Sequence, residues 1–241
     1  MKLDILVFAA HPDDAELCCA GTILAHEQKG RKIGIIDLTR GEMGTRGTPE
    51  IRDKEAEKSA GILSLSVREN LGLEDMFFVN DKNHQLKLVQ KIRQYQPEIV
   101  LTNAHTDRHP DHPRASKLAI DACFVSGLTK VKTTLNGQEQ SAWRPVGVYS
   151  YIQSNYISPD FVVDVSPYWA KKMEAIRSFE SQFYTPNSDS SDEPETFVSS
   201  PEFMKLIEAR GKEFGHSIGV AYGEGFNVQR NLGLSNLFDL I

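Results

Sequence analysis

An apolar run that ends abruptly on charged residues constrains this chain more than any other feature. Residues 3–23 read LDILVFAAHPDDAELCCAGTI. Residues 3–10 are apolar apart from Asp4, as in a strand covered on both faces of a sheet. His11, Pro12, Asp13 and Asp14 follow at once, and Leu17, Ala20, Ile23 and Leu24 then recur at helical spacing. The stretch predicts a strand, a polar loop and a helix. In open α/β sheets, ligands sit beyond the carboxyl ends of the strands, where such loops emerge. One imidazole and two carboxylates therefore stand where a ligand would be held.

The pattern continues along the chain. Gly30 suits a helix stop, and residues 32–38 (KIGIIDL) read as a second strand. Strand, helix, strand predicts a right-handed crossover and a parallel pair. Residues 39–49 (TRGEMGTRGTP) place three glycines and two arginines in a polar loop, which suggests backbone close to a ligand. No phosphate-binding G-x-x-x-x-G-K-[ST] occurs there. A charged helix is expected over 50–65, with Ile51, Ala56, Ala60 and Leu63 inward. Arg52 lies in its first turn, where the helix dipole favours acids, so it is either a solvated surface residue or placed for another purpose. A short strand and a turn are expected over 67–79. A helix over 83–95 follows, with Leu86, Val89 and Ile92 on one face and Pro97 ending it. Residues 98–103 (EIVLTN) read as a strand, 105–113 as a loop and 114–124 as a helix. That loop carries a second cluster, His109-Pro110-Asp111-His112. Both motif loops thus leave strands at the same edge of the predicted sheet.

Beyond Val125, residues 127–142 form a polar excursion, and strands are expected over 146–151 and 160–165. A helix over 167–183 places Trp169, Met173 and Ile176 inward. Residues 185–195 (TPNSDSSDEPE) read as a mobile acidic surface segment, with an active-site flap as the alternative. A last helix over 200–214 precedes a glycine-rich tail, 215–226. No repeat or linker divides the chain, so residues 1–241 are expected to form one α/β domain: a Rossmann-like, mostly parallel sheet flanked by helices. The formal net charge of -6 argues against non-specific nucleic-acid binding and leaves room for a local basic pocket. No apolar run approaches the roughly 18 residues of a membrane span, and the N-terminus makes a poor signal peptide. Three cysteines, Cys18, Cys19 and Cys123, give no disulfide framework. A cytoplasmic protein is expected.

A catalytic zinc site takes three His or carboxylate ligands and keeps one position open for water. His11 and Asp14 lie three apart on one tight loop stiffened by Pro12, and His112 completes the set if the two loops meet. Asp13 sits beside a ligand and suits a base for water activated by the ion. His109 suits a donor near the ion, protonated to stabilise an oxyanion, with Asp111 or Asp107 on its other ring nitrogen. The cysteines fall inside predicted helices, where free thiols pack as small hydrophobes. His26 and His84 lie in or beside helices without an acidic cluster. His105 is close enough to the second motif to support it, and His216 has no assigned role.

The two motifs resemble the signatures of the PIG-L/LmbE family of zinc-dependent N-acetylglucosamine deacetylases. The first signature is A-H-P-D-D-x-E, from Ala10 to Glu16, and the second is H-P-D-H, from His109 to His112. The likeness runs over most of the chain, including the helix with Arg52 and the terminal Gly223-Glu224-Gly225-Phe226. It implies His11, Asp14 and His112 as ligands of Zn2+ or another divalent metal such as Fe2+. It implies Asp13 as general base and His109 as electrostatic stabiliser tuned by Asp111. The nearest likeness is to the bacillithiol-biosynthesis deacetylase branch, on residues 41–47 (GEMGTRG), the Arg52 helix, Asp107-Arg108 and Trp143-Arg144-Pro145. That branch implies N-acetylglucosaminyl malate as substrate. Malate is a dianion, so Arg52 and Arg108 are implied as substrate-binding residues, with Arg144 added across a subunit contact. A homo-oligomer, trimer or hexamer, is implied as well. Cys18 and Ala20 stand where relatives usually carry glycine; both are small, and local repacking with retained chemistry is expected. Tyr184 as a substrate contact has no family signature behind it. A chitooligosaccharide is the alternative substrate. A non-catalytic sugar- or nucleotide-binding module is the alternative of another class, weakened by the lack of G-x-G-x-x-G after the first strand.

Overall fold

A computed structural model describes residues 1–184 and 193–240. The first half alternates β1 (Ile5–Ala9), α1 (Asp14–Glu27), β2 (Ile33–Asp37), α2 (Pro49–Ile62), β3 (Val67–Asn70), α3 (Lys82–Tyr95), β4 (Ile99–Thr102) and α4 (Asp111–Ser126). A small hairpin, β5 (Thr134–Leu135) and β6 (Gln138–Glu139), precedes β7 (Gly147–Tyr151), β8 (Phe161–Asp164), α5 (Trp169–Arg177), α6 (Pro201–Ser217) and β9 (Gly223–Val228). Seven strands form one sheet in the order β3-β2-β1-β4-β7-β9-β8. The first five are parallel, and β9 runs antiparallel to both β7 and β8. This is the mostly parallel, helix-flanked α/β sheet that the alternation predicts.

The chain winds outward in both directions from β1, since β2 and β3 lie on one side and β4 and β7 on the other. Such a reversal opens a crevice at the carboxyl ends of the two central strands. The loops after β1 and β4 carry the two motifs, so both enter that crevice. The strand period holds β1 in place. Leu6, Phe8 and Ala10 face α3 and α4, while Ile5, Val7 and Ala9 face α1 and α5. A third cluster, including Ala56, Trp169, Ile176 and Phe203, packs α2, α5 and α6 together.

Several sequence expectations shift. Helix α4 begins at Asp111, so Asp111 and His112 stand in its first turn rather than in the loop; an acid there suits the helix dipole. Ile51 is exposed, and the buried face of α2 is largely polar, with Arg52, Glu55 and Ser59. That face meets charged partners instead of an apolar layer. Helix α5 is shorter than the expected 167–183, and the excursion at 127–142 contains the β5–β6 hairpin. Residues 185–192 of the acidic segment lie outside the described residues. Among those described, no helix is long and apolar enough to cross a membrane.

The glycine-rich tail is the largest correction, because it contains β9, an interior strand. Gly223 and Gly225 permit it: a Cβ at Gly223 would lie 2.5 Å from Val162 Cγ1, and one at Gly225 would lie 3.0 Å from the Phe214 ring. Between them, Glu224 is 3% exposed and pairs with Lys172 of α5 at 2.6 Å. The Glu224 carboxylate accepts from the backbone N–H of Gly21 (2.9 Å) and Thr22 (2.7 Å) and from the Thr22 hydroxyl (2.7 Å). Lys172 Nζ also donates to the Leu17 carbonyl at 2.8 Å. The ion pair thus grips the backbone of α1 at mid-helix. Glu16 of the first motif is anchored separately, accepting from Ser59 and from Arg68, which also pairs with Asp37.

Candidate metal centre

The two motif loops meet. His112 Nε2 lies 3.2 Å from Asp14 Oδ1, and His11 Nδ1 lies 3.5 Å from Asp14 Oδ2. A tetrahedral zinc site with bonds of about 2.0–2.1 Å separates its ligand atoms by about 3.3 Å, so the spacing of His112 Nε2 and Asp14 Oδ1 fits a shared ion, with His11 facing the other oxygen of the same carboxylate. The other ring nitrogens are backed by carboxylates. His11 Nε2 stands 3.1 Å from Asp75 Oδ1 and 3.4 Å from Asp111 Oδ2, and His112 Nδ1 stands 3.0 Å from Asp107 Oδ1. Carboxylates behind ligating imidazoles fix their tautomer and orientation.

The electrostatics ask for positive charge. Burial works against the charged form of His112, but Asp14 and Asp107 outweigh it and hold its pKa up at about 9. Burial likewise opposes His11, and its bonds to Asp111, Asp14 and Asp75 raise it well above the usual imidazole range. Burial alone would push the Asp14 carboxyl up; His112 and His11 hold it well below the ordinary value. A pocket that draws protons onto two imidazoles is one in which a divalent cation can take their place. His109 completes a group of three imidazoles with His11 and His112 whose ligand nitrogens lie within 4.8 Å of one another.

Asp13 is buried beside His11 and Asp14 in a strained conformation, φ 126°, outside the regions favoured by non-glycine residues. Such strain persists only where surroundings over-determine it, and functional sites are where it clusters. Here Arg52 does so: its Nη2 donates to Asp13 Oδ2 at 2.9 Å and to the Pro12 carbonyl at 2.5 Å. Burial raises the Asp13 pKa to about 7, with Arg52 pulling the other way. Arg52, expected as a substrate ligand, stands on the cavity wall and holds the loop that carries Asp13. Its guanidinium is buried, and its Nε has no hydrogen-bond partner among the described residues.

The second motif also rearranges. His109 Nδ1 accepts from the Asp111 N–H at 3.3 Å, which places the hydrogen of the neutral ring on Nε2. Burial and the neighbouring positive His11 and His112 lower the His109 pKa, which favours the neutral ring as an N–H donor. The Asp111 carboxylate faces His11, Arg114 and the Met76 N–H, and Asp107 faces His112, so neither holds the His109 ring. Sequence reasoning missed Asp75, Asn103 and Gln153. Asn103 directly follows β4, a position that could have flagged it; Asp75 and Gln153 stand in stretches with no motif.

His11, Asp13, Asp14, Asp75, His109, His112 and Gln153 line one cavity of about 330 Å³ at the carboxyl edge of the sheet. Residues 6–123 match the family model described as PIG-L: GlcNAc-PI de-N-acetylase. The chain is 30% identical over 191 residues to diacetylchitobiose deacetylase of Thermococcus kodakarensis, covering 74% of this chain and 70% of that one. The chain belongs to the PIG-L family. This PIG-L chain is also 27% identical over 194 residues to the probable N-acetyl-alpha-D-glucosaminyl L-malate deacetylase 2 of Bacillus anthracis, covering 75% and 82% of the two chains. A crystal structure of a conserved protein from Thermus thermophilus superposes with a TM-score of 0.85 at 34% identity, covering 98% of each chain.

Other candidates in this PIG-L protein divide cleanly. Arg108 lines the cavity with its guanidinium 4.5 Å above the Phe197 ring. Arg144 does not reach it: the residue precedes β7 at the opposite end of the sheet, packs on Phe124 and donates to the Phe124 carbonyl. Cys18 lines the cavity and Cys19 and Cys123 are buried; burial raises all three thiols, as expected of packed neutral groups. His105 and His216 are exposed, and His26 and His84 bond to Thr22 and Asp81 of their own segments.

Gly41 explains one glycine of the polar loop. Its φ is +68°, and a Cβ there would lie 1.8 Å from Arg52 Nη1. Gly41→Ala is expected to cost about 1–3 kcal/mol in denaturant melts and to lower turnover by displacing Arg52. Wild-type stability in that variant would show that the loop yields without strain.

Proposed function

We propose that this PIG-L protein hydrolyses the N-acetyl group of an N-acetylglucosamine conjugate, with N-acetylglucosaminyl malate as the preferred substrate. The observation that carries the reading is the meeting of His11, Asp14 and His112 beside an Arg-held Asp13 in one cavity. His11, Asp14 and His112 would hold the metal, Zn2+ in the first instance with Fe2+ as the alternative. A bound divalent ion supplies Lewis-acid polarisation of the acyl oxygen and acidifies water. Asp13 Oδ2 is fixed by Arg52, so Oδ1 takes the proton of the attacking water and returns it to the departing amine. His109 Nε2–H donates to the developing oxyanion. Residues 1–241 act as one catalytic domain.

Arg108 on the cavity wall supports an anionic aglycone, and the likeness to the malate deacetylase points the same way. The likeness to diacetylchitobiose deacetylase supports the second reading, a chitooligosaccharide. Acetate release from N-acetylglucosaminyl malate, diacetylchitobiose and free N-acetylglucosamine, with and without chelator, decides between them. Our reading expects the malate conjugate to lead and the chelator to abolish release. Equal rates on all three would sink the malate assignment, and no release on any would favour a binding module. Family membership also suggests a trimer or hexamer, which light scattering checks.

A further inference from the structure

Asp14 is held by more than imidazoles. Its Oδ2 accepts from the His11 N–H and from Asn103 Nδ2, each at 3.0 Å, and its Oδ1 accepts from Gln153 Nε2 at 3.0 Å. The two amides are locked in turn. Asn103 Oδ1 accepts from the Ala10 N–H at 2.9 Å, and Gln153 Oε1 accepts from Asn103 Nδ2 and the Ala104 N–H, each at 3.0 Å. Turning either amide over would present an oxygen to the carboxylate and break these backbone bonds, so the network itself fixes which end faces Asp14. Arg210 of α6 braces the segment after β7 by donating to the carbonyls of Gln153 (2.7 Å) and Ser154 (3.2 Å).

Counting lone pairs shows what this does. Each carboxylate oxygen offers about two acceptor positions. Both on Oδ2 are taken by the His11 backbone N–H and Asn103, with His11 Nδ1 farther off at 3.5 Å, whereas Oδ1 has one taken by Gln153, whose Nε2 also lies 3.4 Å from His112 Nε2, and one left. The free position belongs to the oxygen nearest His112 Nε2. The donors are neutral, so they orient Asp14 without cancelling its charge as a lysine or arginine would. The imidazoles are treated oppositely, backed by the carboxylates of Asp75, Asp107 and Asp111.

We propose that Asn103 and Gln153 form an amide clamp that limits Asp14 to coordination through Oδ1 alone. They are positioning residues, acting on the metal through Asp14, and the inference rests on the metal reading above. Losing such an outer partner weakens metal binding by about 10–100-fold. Freeing Oδ2 should also let Asp14 bind through both oxygens and raise the coordination number.

The test uses the full chain stripped of metal. Zn2+ affinity is measured against a chromophoric chelator, Co2+ loading by visible absorption, and apo-protein stability by thermal melting. Gln153→Leu is expected to raise the Zn2+ Kd about 10–100-fold. Asn103→Leu is expected to do the same and to weaken the Co2+ band, which is intense for four ligands and faint for more. A purely structural role would lower the apo melting temperature and leave Kd and spectrum unchanged, which overturns the clamp. Asn103 is fully buried, so if Asn103→Leu does not fold, Gln153→Leu decides: a Kd within about twofold of wild type refutes the proposal. Wild-type protein that takes up no Zn2+ removes the metal reading and the clamp with it.

Discussion

Asp13→Ala is expected to cut acetate release by about 10²–10⁴-fold, the usual worth of a positioned general base, while Zn2+ content stays near that of wild type. The separation follows from geometry, because Asp13 Oδ2 is directed at Arg52 rather than at His11, Asp14 and His112. Near-normal turnover would show that another group takes the proton. The same residue sets the acid limb of the pH profile. A base works deprotonated, and burial lifts Asp13 to about 7, so activity should rise with pH through that region. Arg52 pulls this pKa down, so Arg52→Ala should move the limb to higher pH as well as lower the maximum. A limb that stays in place while the maximum falls would mean that Arg52 shapes the loop without tuning the base.

The second large effect is on stability. Lys172→Met leaves the Glu224 carboxylate buried with only the Gly21, Thr22 and hydroxyl donors. Breaking a buried pair from one side costs about 3–5 kcal/mol, or roughly 6–20 °C of Tm in a chain of this size. Chemical denaturation reads it directly. Replacing both partners by apolar residues should cost less than the sum of the two single changes, since no charge is then left alone. A Lys172→Met penalty under about 1 kcal/mol would mean that water or a neighbour compensates the acid.

Much of this was legible in the sequence because the first half obeys simple periods. Apolar runs of strand length, helices at 3.6-residue spacing and two His-Pro-Asp loops place β1, β4 and the centre between them. Burial on both faces makes such strands read as continuous hydrophobic runs. The second half was less legible for the opposite reason. Strand β9 is built from Gly223, Glu224 and Gly225, residues depleted in strands, and only the close approach of Phe214 and Val162 makes them suitable. The partners of Arg52 and Arg144 were not legible, because sequence shows a charge and hides what it meets. One guanidinium meets Asp13 and the other the end of α4. Gln153 and Asn103 were hidden in the same way, since an amide becomes informative only once its acceptor is known.

The grip of Glu224 on α1 also imposes a timetable on biosynthesis. Gly21 and Glu224 are 203 residues apart. At about 5–20 residues per second, a ribosome finishes the first motif roughly 10–40 s before it delivers the acid that braces the motif's helix. Over that interval the mid-helix amides lack their acceptor; for the final 52 residues, roughly 3–10 s, Lys172 also lacks its counterion, and β8 has no neighbour, because β9 is its sheet partner. The nascent chain therefore displays both motif loops on an unfinished scaffold, and towards the end an unpaired strand and a lone buried-site lysine as well. Vectorial synthesis makes the last strand the event that commits the catalytic edge to its final shape, and it gives chaperones a defined window in which to act.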